Sequence, residues 1–351
     1  MKIGIDARFY SLNGGLGRYV SELINQLMLL ASEHEFYLFL PPGATVTNPA
    51  KRTHLIATNI PWYGWQEQVL WPRLLNRYSL DLVHFPHFNI PLTYRRPFVV
   101  TIHDLILLRQ PTAEATHLNP LLFKLKNIGY KIALRRALKE SRHIITTSQF
   151  TKSDIQQLAP IADSKISVTY QASRWTPTDS VEARRKQLLY VGNCYPHKNV
   201  ALLIDTFVKF HSQNPTYSLV IAGHRDTFFS NLETRTLKSH AALPITFIPD
   251  CSDDELAQLY KTSELYIFPS RYEGFGLPGL EAMSFGLPVL SADSTCLPEI
   301  YGPAAHYFQN NNQTDLLRQM QLLCTDPNRR LILSRAGLER VRLYSWQQLA
   351  V

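Results

Sequence analysis

The sequence predicts an α/β protein made of two Rossmann-like domains, each a parallel sheet between helical layers, facing a central cleft. Three observations carry this. Lys2-Ile-Gly-Ile-Asp6 reads as an apolar strand, followed by the glycine loop Asn13-Gly-Gly-Leu-Gly-Arg18 and by Val20, Leu23, Ile24, Leu27 and Leu30 at helical spacing. The second half opens in the same way, with Leu188-Leu-Tyr-Val-Gly192, a turn through Lys198-Asn199, and a helix bearing Leu202, Leu203, Thr206 and Phe207. A chain of 351 residues, 45% hydrophobic and 18% charged, is long enough for two sizeable cores.

In the first half, Phe36–Leu40, His54–Ala57, Leu80–Phe85 and Phe98–Leu105 read as further strands, the last ending in His103-Asp104. Polar residues at the carboxyl end of a strand in an open α/β sheet face the ligand crevice, so His103 is a candidate catalytic residue, an imidazole being able to shuttle a proton near neutral pH; a histidine held structurally by Asp104 is the other reading. Trp62 to Leu75 places several aromatics at helical spacing, which suits core and cleft wall better than a base-stacking platform. His84 and His87 flank Phe85-Pro86 without a convincing third metal ligand. His143–Ser148 and Lys165–Thr169 complete the strands of a first domain over residues 1–170. Residues 171–187 are polar, contain Pro177 and read as the linker, and residues 188–340 form the second domain. There, Ser218–Gly223, Ile245–Pro249, Leu265–Pro269 and Val289-Leu290 are strands, and Ser252-Asp-Asp-Glu255 caps a helix. Residues 341–351 begin a short or truncated closing helix.

Charge is unevenly divided. Residues 1–175 hold 20 Lys and Arg against 11 Asp and Glu, a net of +9, whereas residues 176–351 hold 16 against 17, a net of −1. The first half is therefore expected to meet something anionic. Residues 121–142 concentrate seven Lys and Arg around one acid, Glu140, with Leu121, Leu125, Ile128 and Ile132 at helical intervals. Two readings stand: a basic amphipathic helix lying on an anionic membrane, or a core helix with a solvated basic face. Cys194, Cys251, Cys296 and Cys324 show neither disulfide nor zinc spacing. No apolar run could span a bilayer and Met1-Lys-Ile-Gly-Ile is a strand, so the expected location is cytoplasmic, with association at the inner face of the membrane left open.

The chemistry concentrates in Arg271-Tyr-Glu-Gly-Phe-Gly-Leu-Pro-Gly-Leu-Glu281, which follows the Leu265–Pro269 strand and winds into a helix with Pro278 near its start. Glu273 lies in the loop and Glu281 is expected in the helix's first turn. Two carboxylates suit the hydroxyls of a sugar or ribose, and free N–H groups at a helix start suit phosphate. Gly274, Gly276 and Gly279 would let the backbone approach that ligand. The plain alternative is a glycine-rich connection with two solvated acids. Lys198, at the strand-to-helix turn of the second half, adds an ammonium suited to diphosphate. The loop at Gly14 and Gly15 does not fit the tight G-x-G-x-x-G of a nicotinamide site.

Glu273-x7-Glu281, set in Glu-Gly-Phe-Gly-Leu-Pro and followed by Glu-Ala-Met-Ser-Phe-Gly-Leu-Pro-Val, resembles the signature of the retaining family 4 (group 1) glycosyltransferases of GT-B fold. Tyr-Val-Gly-x5-Lys-Asn at Lys198 resembles their diphosphate loop, Gly14 and Gly15 match their glycine pair near the donor diphosphate, and His103 matches their cleft histidine. The resemblance implies that Glu281 takes the ribose hydroxyls and Glu273 lies near the transferred sugar. It also implies that the Phe275-Gly276-Leu277 backbone meets sugar hydroxyls. Asn193 stands where many members carry arginine, which shifts weight onto Lys198 and points toward mannosyltransferase-like members using GDP-mannose. The implied activity is retaining transfer of a hexose, mannose before glucose, from a nucleotide diphosphate sugar to a saccharide or polyprenyl-linked acceptor in surface polysaccharide assembly. The site lacks an Asp-x-Asp pair, and neither a metal nor a cofactor is implied. Two rivals share the features: a nucleotide-sugar epimerase on the same fold, and a non-catalytic binder of nucleotide sugars or nucleic acid, although no nucleic-acid recognition module is present.

Overall fold

A computed structural model describes residues 1–12, 14–30, 33–111, 120–178 and 184–349. Asn13 of the glycine loop, residues 179–183 of the expected linker and residues 350–351 of the expected closing helix lie outside the described residues, as does the side chain of Leu121. The chain divides into two compact units. One comprises Met1–Leu108, Thr116–Gln171 and Ser345–Val351; the other comprises Arg109–Ala115 and Ala172–Tyr344.

The first unit holds a seven-stranded parallel sheet. Its strands are β1 (Lys2–Asp6), β2 (Glu35–Leu40), β3 (Thr53–Ala57), β4 (Leu82–Phe85), β5 (Phe98–Ile102), β6 (His143–Thr146) and β7 (Ile166–Val168), in the order β3-β2-β1-β4-β5-β6-β7. Its helices are α1 (Gly15–Leu29), α2 (Trp65–Asn76), α3 (Ile106–Arg109, the last residue grouping with the second unit), α4 (Pro120–Glu140) and α5 (Gln149–Leu158). Parallel strands covered on both faces are apolar along their whole length, and Phe39, Val83, Phe85, Val100 and Ile102 meet Trp71 and Leu75 of α2 and Leu134 and Leu138 of α4 in one core. Ser148 starts α5 by accepting the N–H of Thr151. The single turn Trp346–Leu349 groups with this unit, with Trp346 and Leu349 buried.

The second unit holds a six-stranded parallel sheet. Its strands β8 (Gln187–Val191), β9 (Ser218–Gly223), β10 (Ile245–Pro249), β11 (Leu265–Phe268), β12 (Val289–Ala292) and β13 (Ala305–Phe308) run in the order β10-β9-β8-β11-β12-β13. Its helices are α6 (Val200–Gln213), α7 (Thr227–His240), α8 (Asp253–Thr262), α9 (Leu277–Ser284), α10 (Leu297–Tyr301), α11 (Gln313–Thr325) and α12 (Pro327–Val341). The Ser252–Glu255 capping box forms in full at α8. In both sheets the strand order reverses beside the first strand of the unit, between β1 and β4 and between β8 and β11. Loops leaving two such strands diverge over the sheet's carboxyl edge, and open α/β sheets bind ligands there.

Residues 172–178 are not a bare connection. Arg174 stacks on Trp175 with its guanidinium 4.0 Å from the ring, and Trp175 packs edge-on against Tyr260 and Phe285. Beyond them, the Arg184 guanidinium gathers the carbonyls of Tyr260, Lys261 and Ser263 at the end of α8 and that of Phe285 after α9. The low apolar content that suggested a linker reflects arginines that pack through stacking and carbonyl contacts.

Helix α4 also departs from one expectation. Leu125, Ile128 and Ile132 point outward, 57%, 47% and 50% exposed, while Tyr130, Leu134, Ala137 and Leu138 reach the core. The periodic stripe seen in the sequence is thus the outer face, because the sheet is covered by the opposite one.

Candidate functional site

Lys198 and Glu273 meet at the switch point of the second sheet. Lys198 lies on the loop leaving β8 and Glu273 on the loop leaving β11, and the Lys198 ammonium donates to both carboxylate oxygens, at 2.6 and 2.8 Å. Both side chains are largely buried, with 16% and 8% exposed. The loops are tied by further bonds: the Arg271 N–H donates to the His197 carbonyl at 2.8 Å, and the Arg271 guanidinium to Asn199 Oδ1 at 2.8 Å. Asn199 sits in the left-handed region (φ 58°) as the residue before α6, so Lys198 comes off the chain immediately before that helix. The Glu273 N–H donates to Thr295 and its carbonyl accepts from Cys296. Burial, with the neighbouring ammonium second, pushes the His197 imidazole down to about 4, so the loop carries one cation and a neutral ring at neutral pH.

Asn193 follows Gly192 at the end of β8; its carbonyl accepts from the Tyr190 hydroxyl, while its Oδ1 is buried and accepts no hydrogen bond. Gly192 (φ 148°) and Gly223 close the edges of β8 and β9 against each other, since a Cβ on Gly223 would fall 2.0 Å from the Gly192 carbonyl oxygen. Helix α9 begins at Leu277, with Gly276 left-handed as its cap (φ 94°) and Pro278 second. Glu281 is therefore the fifth helical residue and lies at the start of the second turn, not in the first, because the glycine cap starts the helix at Leu277, one residue earlier than a first turn ending at Glu281 would need. It is buried to 2% exposure; the Tyr260 hydroxyl donates to it at 3.2 Å and Arg174 Nε lies 3.7 Å away. Phe275 and Leu277 are buried on either side of Gly276.

Two of the loop glycines also make room for a neighbouring side chain. The Tyr301 hydroxyl donates to the Gly276 carbonyl at 2.5 Å, and a Cβ at Gly279 would sit 2.3 Å from that hydroxyl. The glycines admit Tyr301, which pins the loop from beneath.

In the first unit, Asp6, Arg8, Glu67 and Asn89 form a buried polar cluster at the carboxyl end of β1. Arg8 donates to both Asp6 oxygens at 2.8 and 2.7 Å and to Glu67 at 2.7 Å, with its guanidinium 4.3 Å from the Trp71 ring centroid. Asn89 Nδ2 donates to both Glu67 oxygens at 2.8 and 2.7 Å. His103 follows the end of β5, two strands away from β1. Its Nε2 lies 2.8 Å from the Pro86 carbonyl, which can only accept, so Nε2 carries the proton; Gln171 Nε2 faces Nδ1 at 3.4 Å. Burial holds His84, His87 and His103 down to about 4, 3 and 4, leaving all three neutral at neutral pH. Gly14 caps α1 with φ 98°, and nothing lies within 4 Å of where a Cβ would stand at Gly14 or Gly15. By contrast, a Cβ on Gly17 would strike the Leu12 carbonyl at 2.0 Å. Among the described residues, no three His, Cys, Asp or Glu side chains gather as a metal would require.

The family model "Glycosyltransferase Family 4" matches residues 13–172 and that of "Glycosyl transferases group 1" matches residues 177–340, so between them they span both sites. The chain belongs to the family 4, group 1 glycosyltransferases. It is 27% identical over 365 aligned residues to the O-antigen chain mannosyltransferase B of Escherichia coli, covering 95% of this chain and 93% of the relative. It is 26% identical over 271 residues to the O-antigen chain mannosyltransferase RfbU of Salmonella typhimurium, covering 76% and 71%. Among solved structures, sucrose-phosphate synthase from Thermosynechococcus elongatus superposes with a TM-score of 0.78 at 18% identity, over 99% of this chain and 96% of that one. The fold is GT-B.

Of the residues singled out in this transferase, Lys198 and Glu273 are in contact, Asn193 lies on the same loop as Lys198, Gly276 caps α9, and Leu277 and Glu281 lie on that helix. Gly14, Gly15 and His103 belong to the first unit. Sequence reading missed Arg174, which approaches Glu281 from a polar segment without periodicity, and Tyr301, whose only signal was a pair of glycines 25 and 22 residues earlier. It also missed the Arg8–Glu67 pair, whose members are 59 residues apart.

Proposed function

We propose that this transferase moves a hexose, mannose in preference to glucose, from a nucleotide diphosphate sugar to a saccharide acceptor with retention of configuration, in the assembly of a surface polysaccharide. The observation that carries the reading is the Lys198–Glu273 contact across the β8/β11 switch point, with Glu281 buried on the helix that follows. Lys198 and the start of α6 serve the diphosphate, an ammonium beside free N–H groups being suited to charge that develops as the leaving group departs. Glu281 takes the ribose hydroxyls. Glu273 stands beside the diphosphate cation, where its charge favours an oxocarbenium-like anomeric carbon. Asn193 Oδ1, a buried acceptor, suits a sugar hydroxyl. In the step, the bond from the anomeric carbon to the diphosphate oxygen breaks and the acceptor oxygen bonds that carbon on the same face. The acceptor proton passes to the leaving phosphate. His103, whose Nε2 donates to the Pro86 carbonyl, serves as a hydrogen-bonding wall for the sugar substrates.

Mannose is favoured by the two O-antigen mannosyltransferase relatives and by Asn193 in place of arginine. The acceptor is lipid-linked and is met at a membrane surface through α4, whose outward Leu125, Ile128 and Ile132 lie beside exposed Lys124, Lys131 and Arg135. No helix among the described residues is long and apolar enough to cross a membrane. The test is release of nucleoside diphosphate from GDP-mannose, UDP-glucose and ADP-glucose, with and without EDTA. GDP-mannose should be consumed fastest and EDTA should have no effect; preference for another donor would remove the mannose assignment, and EDTA sensitivity the metal-independent one.

A further inference from the structure

The loop between β3 and α2 carries an aromatic side chain in a conformation that the chain would not adopt unaided. Tyr63 has φ 60°, in the left-handed region that a bulky side chain rarely occupies. What holds it there is visible: its N–H donates to Glu67 Oε2 at 2.9 Å, and Glu67 is fully buried and fixed by Arg8 and Asn89. Its neighbour is fixed too, because Trp62 stacks on Phe9 with ring centroids 4.5 Å apart and planes 13° from parallel. The buried polar cluster of the first unit thus acts as a clamp on this loop.

The clamped side chain does not go into the core. Tyr63 is 56% exposed, at the carboxyl edge of the first sheet. Its ring stands at 81° to that of His87 and 6.2 Å from it, and its hydroxyl reaches His87 Nδ1 at 3.5 Å. His87 in turn packs on Phe88, with centroids 4.1 Å apart, and lies 6.5 Å from His103. The result is a rigid, uncharged wall of a phenol face and a neutral imidazole. Such a surface suits the C–H face of a pyranose, with phenol and imidazole as partners for its hydroxyls; it offers no charge for a phosphate.

We propose that Tyr63, positioned by Glu67, forms a subsite for the pyranose ring of the saccharide acceptor. This rests on the transferase reading above and assigns that acceptor a place on the first unit. Because the native φ is open to glycine without cost, Tyr63→Gly removes the ring and relieves the backbone together. The experiment is saturation-transfer NMR of wild type, Tyr63→Gly and Tyr63→Phe with the methyl α-glycosides of mannose, glucose, galactose and N-acetylglucosamine. Calorimetric titration of the same proteins with GDP, UDP and ADP accompanies it.

At least one glycoside should bind wild type, and its affinity should fall at least tenfold in Tyr63→Gly while staying within about threefold in Tyr63→Phe. Nucleotide affinity should be unchanged and Tyr63→Gly should melt no lower than wild type. If no glycoside binds wild type, or if Tyr63→Gly binds it as well as wild type does, the subsite is overturned. Failure of wild type to bind any of the three nucleotides would instead overturn the donor reading, which the Tyr63 variants do not touch.

Discussion

Replacing Glu273 by alanine should abolish transfer while tightening the binding of the nucleoside diphosphate. The Lys198 ammonium donates to both Glu273 oxygens, at 2.6 and 2.8 Å, so two of its three donors are engaged by the carboxylate. A diphosphate must displace or share that contact. A carboxylate and a phosphate on opposite sides of one ammonium would lie about 5.5 Å apart and repel by about 3 kcal/mol at an effective dielectric of about 20. Solvent and rearrangement reduce this, and half of it, about 1.4 kcal/mol, corresponds to a tenfold lower Kd. Lys198→Ala acts in the opposite sense. It removes a charge-assisted bond worth about 2 kcal/mol and leaves Glu273 facing the ligand, so Kd should rise roughly thirtyfold or more. In the double variant part of that loss should return. Calorimetric titration of the four proteins with GDP, UDP and ADP reads all of these. Weakened binding in Glu273→Ala, equal to that in Lys198→Ala, would refute the reasoning, because it would make the carboxylate a ligand contact and not a competitor.

Other consequences follow from the same geometry. Arg8→Met should destabilise the first unit by about 3–5 kcal/mol in urea unfolding, since it leaves Asp6 and Glu67 buried without their cation. Stability should fall in acid through the buried histidines. His84, His87 and His103 are held at about 4, 3 and 4 in the folded chain against 6.5 unfolded, so the unfolded chain binds more protons between those values. Their contribution is present in full above about pH 6.5 and is lost as pH drops toward 4. His84→Asn should flatten the slope of melting temperature against pH in that window. Paired substitution Ile128→Asp and Ile132→Asp on the outer face of α4 should abolish co-sedimentation with phosphatidylglycerol vesicles without lowering the melting temperature; unchanged sedimentation would remove α4 from membrane contact.

Much of the architecture was legible because parallel strands between helical layers leave unbroken apolar runs, and Lys2–Asp6 and Ser218–Gly223 form with the boundaries their sequence suggests. Strand β13 was not legible: Ala-His-Tyr-Phe is short, and two of its four residues are half-buried at the sheet's edge. The Lys198–Glu273 meeting could be suspected from two loops that each follow a strand, but their adjacency depends on β8 lying beside β11, which the order of strands in the chain does not state. Arg174 and Tyr301 were hidden for a different reason. Each acts by filling space around another residue, and that space exists only once α8, α9 and α10 have packed. The stripe on α4 was seen in the sequence, but its direction was not; periodicity identifies two faces of a helix and leaves open which one the sheet covers.

The most direct measurement is proton NMR of the wild-type protein with GDP-mannose and a mannose-terminated oligosaccharide, followed in time beside Glu273→Ala. A new anomeric signal with the configuration of the donor, rising with free GDP and absent in the variant, is the predicted result. Consumption of the donor without acceptor to give an epimeric sugar nucleotide, or a product of inverted configuration, would contradict it.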